Sequence, residues 1–290
     1  MDFGVTLPNF GKYADKNEII KIATAAQELE FDSVWVSDHI VIPDTHEGFG
    51  DLFYEPIVTL SYLASITKKI KLGTSVIILP YRNPVVFAKM VSTLDQLSDG
   101  RIILGIGAGW LEKEFQALGI AFGKRGEITD ESLKVLETLW TQENPSFTGK
   151  NFKFSDIKFL PKPRQKPYPP IWIGGGSDKA IERAVTYGDG WHPVGLTPEE
   201  LKNKLFYLNE LLRNQKKKNF TISLRRNIEI TDKEIDENDT LRGPIEKIVR
   251  GLKEYQDIGV DHLLLHFLSG TSDSVLNAMK RFSKEIRPLI

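Results

Sequence analysis

Eight short apolar runs, each followed by a segment of helical spacing, predict an α/β chain folded as a (β/α)8 TIM barrel. Three observations carry the prediction. Most of the runs are continuous rather than alternating, which suits parallel strands covered on both faces. The segments between them repeat apolar residues every three or four positions, as helices packed on a sheet do. The length, 290 residues, is usual for one such barrel. A doubly wound open sheet alternates the same elements and is the rival architecture. A single domain over residues 1–290 is expected, with an insertion around residues 144–170.

In chain order the strand candidates are DFGVTLP, DSVWVSDH, IKLGTSVIILP, RIILGIGAG, PPIWIGGG, GDGWHPVG, FTISLRRNIEI and DHLLLHFL. Between them, Ile19, Ile22, Ala23, Ala26 and Leu29 form one helical stripe, and Leu201, Leu205, Leu208 and Leu212 form another. Ile245, Ile248, Val249 and Leu252 line a third helix; Val275, Met279, Phe282 and Ile286 line the last. Weaker helical patterns follow Glu55, Pro84, Leu111 and Asp178, and residues 127–140 read as an additional helix. The insertion begins as a hairpin around Gly149-Lys150 and continues as a proline-rich extended stretch. Either a surface excursion or a lid or dimer contact at the barrel mouth suits such a segment.

Composition narrows the function. Hydrophobic residues at 41% and charged residues at 27% suffice for a packed core with a solvated surface. A net charge of −1 lacks the basic excess of nucleic-acid or anionic-membrane binders, so neither partner is expected. With no cysteine, disulfides, thiolate metal sites and thiol nucleophiles are excluded. The opening MDFGVTLPNF lacks a secretory signal pattern, and no apolar run approaches the ~18 residues of a membrane span; a cytoplasmic protein is expected.

Three stretches can carry chemistry. Gly174-Gly175-Gly176-Ser177 joins a strand to a helix, where backbone N–H groups and a hydroxyl can hold a phosphate, although a tight turn without ligand has the same pattern. Gly105, Gly107 and Gly109 are spaced G-x-G-x-G rather than G-x-G-x-x-G, which disfavours a dinucleotide fold and suits a flat ring or phosphate lying against backbone. Asp38 and His39 fall at the end of the second strand, on the rim where barrels place catalysis. Imidazole titrates near neutral pH, but strand neighbours point to opposite faces, so the two need not act together. His46, His192, His262 and His266 complete the histidines; His266 ends the eighth strand, and no compact metal-ligand spacing occurs. Phe10, Phe53, Tyr54, Trp110 and Trp191 are aromatic candidates for the mouth.

Taken together, FDSVWVSDHI at 31–40, IKLGTSVIILPYRNPVVFAK at 70–89, LDQLSDGRIILGIGAGWLEKEFQALG at 94–119, RGEITDESLKVLETLW at 125–140, PPIWIGGGS at 169–177 and GDGWHPVG at 188–195 resemble the bacterial luciferase-like oxidoreductases. The similarity is greatest to members that use the deazaflavin coenzyme F420, through Ser37-Asp38-His39 and the stretch Leu72 to Val76. The resemblance implies a barrel holding that cofactor, or alternatively FMN, at its C-terminal mouth, and a homodimer. By similarity, Ser75-Val76 forms a non-prolyl cis bulge under the ring, Gly107, Ala108 and Gly109 lie beside it, and Gly175, Gly176 and Ser177 hold the phosphate. Asp38 and His39 match positions near ring and substrate, His39 as acid/base and Asp38 as its electrostatic or ring-binding partner. The luciferase α chain has an arginine for the FMN phosphate where this chain has Ala108. The implied reaction is hydride transfer to or from a small organic substrate. The alternatives are an FMN-dependent monooxygenase, a flavin-binding protein without turnover, or an unrelated phosphate-binding barrel.

Overall fold

The structure, a computed structural model, describes residues 1–44, 48, 50–235, 239–268 and 270–290. His46 lies outside them. Each of the eight expected strands forms: β1 (Asp2–Thr6), β2 (Ser33–Val36), β3 (Lys71–Thr74) with its continuation β4 (Ile77–Ile78), and β5 (Ile102–Gly107). After the hairpin strands β6 (Phe147–Thr148) and β7 (Lys153–Phe154) come β8 (Ile171–Gly174), β9 (Gly190–His192), β10 (Thr221–Ile230), the short β11 (Arg242–Gly243) and β12 (His262–Phe267). The sheet order is β10-β12-β1-β2-β3-β5-β8-β9, β9 pairs in turn with β10, and β11 adds to β10. This is the (β/α)8 barrel, not the open sheet.

Helices fall where the apolar stripes put them: α1 (Lys16–Glu28), α2 (Pro56–Ile66), α3 (Pro84–Leu97), α4 (Glu112–Ala117), α5 (Arg125–Thr141), α6 (Asp178–Tyr187), α7 (Pro198–Asn214), α8 (Ile245–Asp257) and α9 (Ser272–Arg281). The starts of α1, α2, α3, α6, α7 and α9 are written in capping residues that satisfy orphan N–H groups of a first turn. Asp15 accepts from Asn17, Asn83 caps α3 ahead of a proline, and Thr197 with Glu200 forms a reciprocal capping box on α7.

The chain divides into two compact units. The first comprises Met1–Pro8, Asp15–Trp35 and Trp172–Ile290. Its sheet interior contains a layer of polar groups among aromatic rings. His192 Nδ1 bonds Ser223 Oγ at 2.7 Å, and Ser223 Oγ bonds His262 Nδ1 at 2.9 Å. His262 Nε2 meets Ser33 Oγ at 2.8 Å, which also accepts from the indole of Trp35 at 2.8 Å. The rings of Trp35 and Trp172 stack 5.2 Å apart, and His192 stacks on Trp35 at the same spacing. All these side chains are buried. Buried polar atoms are tolerated here because each hands its hydrogen bond to the next.

The second unit comprises Asn9–Ala14 and Val36–Ile171. In it, β3 and β4 lie unusually close to β5. A Cβ built on Gly105 would stand 1.8 Å from the Thr74 carbonyl oxygen, and one on Gly107 would stand 2.7 Å from Val76 Cγ2. Gly109, at φ +82°, would meet Ile78 and Phe115. The alternate glycines therefore have a packing reason: they admit a neighbouring chain that no side chain would. The Ser75–Val76 peptide between β3 and β4 is cis, as the resemblance implied.

The insertion belongs to this unit and packs along its helices. Glu131 of α5 accepts the backbone N–H groups of Asn151 and Phe152 in the hairpin, where Phe147 pairs with Phe154. Lys162 donates to two carbonyls at the end of α5, that of Leu139 and that of the capping residue Gln142. Gln165 bonds Asp95 of α3 and the Ile102 carbonyl at the start of β5. The proline-rich part is thus a strap at the end of β5 opposite the one that carries Gly107. Among the described residues, no helix is long and apolar enough to cross a membrane.

Two outcomes follow from this packing. Gly105→Ala forces a methyl into the Thr74 carbonyl and should cost at least about 3 kcal/mol in a denaturant titration, whereas Gly123→Ala, with nothing within 4 Å, should be near neutral. His192 has its pKa lowered to about 3, by burial and then by the charge of Arg225. The unfolded chain takes up that proton near pH 6.5 and the folded chain does not, so stability is full above that pH and falls as pH drops toward about 3. The urea midpoint should decline over this window, and His192→Gln should flatten the decline.

Candidate active site

Asp38 and His39 leave β2 side by side and go to different partners. Asp38 is buried, and both its oxygens are engaged. Arg82 Nη1 donates to Oδ2 at 2.6 Å and Nη2 to Oδ1 at 2.8 Å, while the Ile78 N–H donates to Oδ2 at 2.9 Å. Such a bidentate fork is the strong form of an ion pair. Arg82 also reaches Glu55 Oε1 at 2.9 Å, while Glu55 Oε2 caps α2 through the Val58 N–H at 2.7 Å. Burial works against the guanidinium charge, but the hydrogen bonds and charges of the two carboxylates outweigh it and raise the Arg82 pKa. Asp38 thus anchors the segment after β4 rather than pairing with His39.

The carboxylate partner of His39 is Glu114, from α4. His39 Nδ1 and Glu114 Oε2 are 2.7 Å apart. The same carboxylate accepts the N–H groups of Ile40 at 2.6 Å and Val41 at 3.2 Å, and the Tyr81 hydroxyl at 2.8 Å. Glu114 is 0% exposed. Burial alone would raise its pKa, but hydrogen bonds from His39, the Ile40 N–H and Tyr81 outweigh burial and hold it below the ordinary range. Tyr81 shifts the other way, upward, through burial and then through its bond to Glu114. The result is a fixed anion that receives one imidazole nitrogen and so sets the tautomer of the ring. Sequence inspection missed Glu114: Glu112 and Glu114 look alike in LEKEF, and the one signal was its place beside Phe115 on the buried side of a short helix.

Aromatic side chains stand around His39. Its ring meets Phe53 edge-on at 5.0 Å and Trp110 at 6.2 Å, and Phe53 stacks on Phe10 at 5.2 Å. Trp110 is 56% exposed, so this face is open to a ligand. Asn9, fully buried, bonds the Ser37 and Tyr54 carbonyls and holds the segments that carry His39 and Phe53. In the same unit, Ser75 is buried, Val76 and Ala108 are half-buried, and Gly107 lies under the Val76 side chain. Trp191, a candidate for the mouth, is instead wholly buried and donates its indole N–H to the Gly175 carbonyl at 2.8 Å.

The first unit carries the glycine turn. Gly175 has φ +109°, and a Cβ on Gly176 would meet nothing within 4 Å. Residues 175–177 are exposed, and Ser177 caps α6 by accepting from the Ala180 N–H. The hydroxyl hydrogen of Ser177 remains a donor alongside the helix N–H groups. The chemistry of this donor set fits a cofactor phosphate. Among the described residues, no group of three or more His, Asp or Glu side chains is arranged to hold a metal ion.

With this geometry in hand, the kinship of the chain is plain. Residues 1–234 match the model of the luciferase-like monooxygenases, and the chain belongs to that family. It is 35% identical over 178 residues to an F420-dependent glucose-6-phosphate dehydrogenase of Amycolatopsis mediterranei, covering 60% of this chain and 52% of that protein. It is 33% identical over 159 residues to an FMNH(2)-dependent dimethylsulfone monooxygenase of Pseudomonas putida, covering 53% and 44%. The chain thus spans about half the length of these curated relatives. Its fold matches an F420-dependent secondary alcohol dehydrogenase with a TM-score of 0.84 at 21% identity, covering 99% of this chain and 98% of that one. Members of the family are oxidoreductases and monooxygenases that use F420 or FMN.

Proposed function

We propose that the protein is a coenzyme F420-dependent oxidoreductase that transfers hydride to or from a small organic substrate. The observation that carries the reading is the His39–Glu114 pair, a histidine tied to a buried carboxylate beside an open aromatic face. Ala108 and the name of the Amycolatopsis relative support F420 over FMN. The name of the Pseudomonas relative supports the second reading, an FMN-dependent monooxygenase.

When bound, the deazaflavin supplies hydride at a ring carbon. The residues proposed to hold it are Ser75, Val76, Gly107, Ala108 and Gly109 along the ring, with Gly175, Gly176 and Ser177 on the phosphate. His39 moves the substrate proton through Nε2, because Nδ1 is committed to Glu114. Glu114 stabilises the charged imidazole and fixes its plane; Tyr81 and the Ile40 N–H keep Glu114 in place. Asp38 acts through Arg82 and the Ile78 N–H, shaping the chain below the ring.

Titration with F420 and with FMN, followed by turnover and oxygen consumption, tests the reading. F420 should bind and support oxygen-independent turnover. Tight FMN binding with oxygen-dependent turnover would overturn it. His39→Ala and Glu114→Gln should each lower kcat by about 10²-fold or more while cofactor affinity changes little.

We also propose a homodimer through α2. Val58, Tyr62 and Ile66 lie one turn apart on this helix and are 65%, 45% and 39% exposed, and the helix contains no charged residue. A stripe of that kind suits a self-complementary contact between two copies. Light scattering should give twice the chain mass, and Tyr62→Lys should give the monomer.

A further inference from the structure

Beyond the redox site, the first unit contains a cluster of basic groups with no part in the reading above. On β10 the side chains alternate. Ser223 points inward, to His192 and His262, while Arg226 points the other way, to the carbonyls of Gly195 and Leu196 and to Asp239. By that alternation Arg225 and Asn227 share the inward face with Ser223. Register places Ser223 across from His262, Arg225 across from Leu264 and Asn227 across from His266. The inward face therefore climbs from the closed His192–Ser223–His262 layer to Arg225, and then to the Asn227–His266 level. The last two levels lie toward the C-terminal ends of β10 and β12, the strand ends at which barrels carry their ligands. Arg225 and His266 are half-buried and Asn227 is exposed, so the upper levels are open where the layer below is sealed.

We infer that Arg225, His266 and Asn227 form an oxyanion subsite that receives the carboxylate or phosphate of the substrate. A guanidinium presents a planar fork of N–H donors matched to either group, and imidazole and amide supply neutral donors beside it. The electrostatics agree. Arg225 has its pKa lowered to about 10 by burial, which leaves it charged at neutral pH. His266 has its pKa lowered to about 4 by burial and then by Arg225, so it stays neutral and donates without adding a second buried charge. A bound anion offsets the Arg225 charge and therefore raises the His266 pKa. That the anion belongs to a substrate rests on the oxidoreductase reading; anion binding itself does not.

The test uses the full chain without cofactor, and inorganic phosphate and acetate as probes. Imidazole NMR follows His266, its signal assigned by loss in His266→Gln. Either probe should shift the signal saturably and move its titration midpoint up from about 4. Arg225→Gln should weaken the binding about tenfold or more, and Arg225→Lys should restore part of it. No saturable shift, or an equal shift in Arg225→Gln, marks an adventitious ion only and overturns the subsite. F420 and FMN affinities measured on Arg225→Gln identify the owner of the anion. Cofactor affinity within about twofold of the parent supports a substrate group; a loss matching that of phosphate gives the site to the cofactor and overturns the substrate assignment. Failure of the redox reading would appear as absent turnover with phosphate binding intact.

Discussion

The path of one stretch of backbone governs the second unit. Residues 74–78 pass so close to β5 that Gly105 has no room for a Cβ against the Thr74 carbonyl. The side chain of Thr74 closes the same contact, donating to the Gly105 carbonyl at 2.8 Å. From this path two chains of interaction leave. The Ile78 N–H reaches Asp38, which fixes Arg82, which reaches Glu55. Three residues beyond Ile78, Tyr81 reaches Glu114, which receives His39. The position of the histidine is therefore set by residues far from it in sequence and held by backbone packing.

The two neighbouring residues Asp38 and His39 illustrate how strand geometry separates roles. An Asp-His dipeptide invites reading as a dyad, yet the extended chain sends the two side chains apart. Each finds a partner of opposite character: the acid a guanidinium, the imidazole a carboxylate. The two differ in surroundings as well. Asp38 is locked by a bidentate pair and a backbone N–H, whereas the ring of His39 borders the exposed face of Trp110.

Much of the fold was legible because barrel strands are apolar on both faces and the connecting helices carry apolar stripes, such as Ile19, Ile22, Ala23 and Ala26 in α1 and Leu201, Leu205 and Leu208 in α7. Other features were not legible because they depend on distant pairs. Glu114 lies 75 residues from His39, and nothing local separates it from Glu112. Gly105, Gly107 and Gly109 suggested room for a ligand, and the structure adds a neighbouring chain as the group for which room is made. Trp191 suggested a mouth residue because aromatics end many strands; its buried indole instead ties the glycine turn to β9. The cis bond at Ser75–Val76 came from resemblance, since no spacing rule marks a non-prolyl cis peptide.

Glu55 shows how a single carboxylate can join two tasks. One oxygen closes the first turn of α2 and the other holds Arg82, so each bond fixes the orientation of the group for the other. Aspartate at this position, one methylene shorter, would have to choose between them. The start of the uncharged helix and the Arg82–Asp38 ion pair thus share a hinge pin, and a disturbance at the outer surface of α2 has a route of three successive bonds, through Glu55 and Arg82, to Asp38.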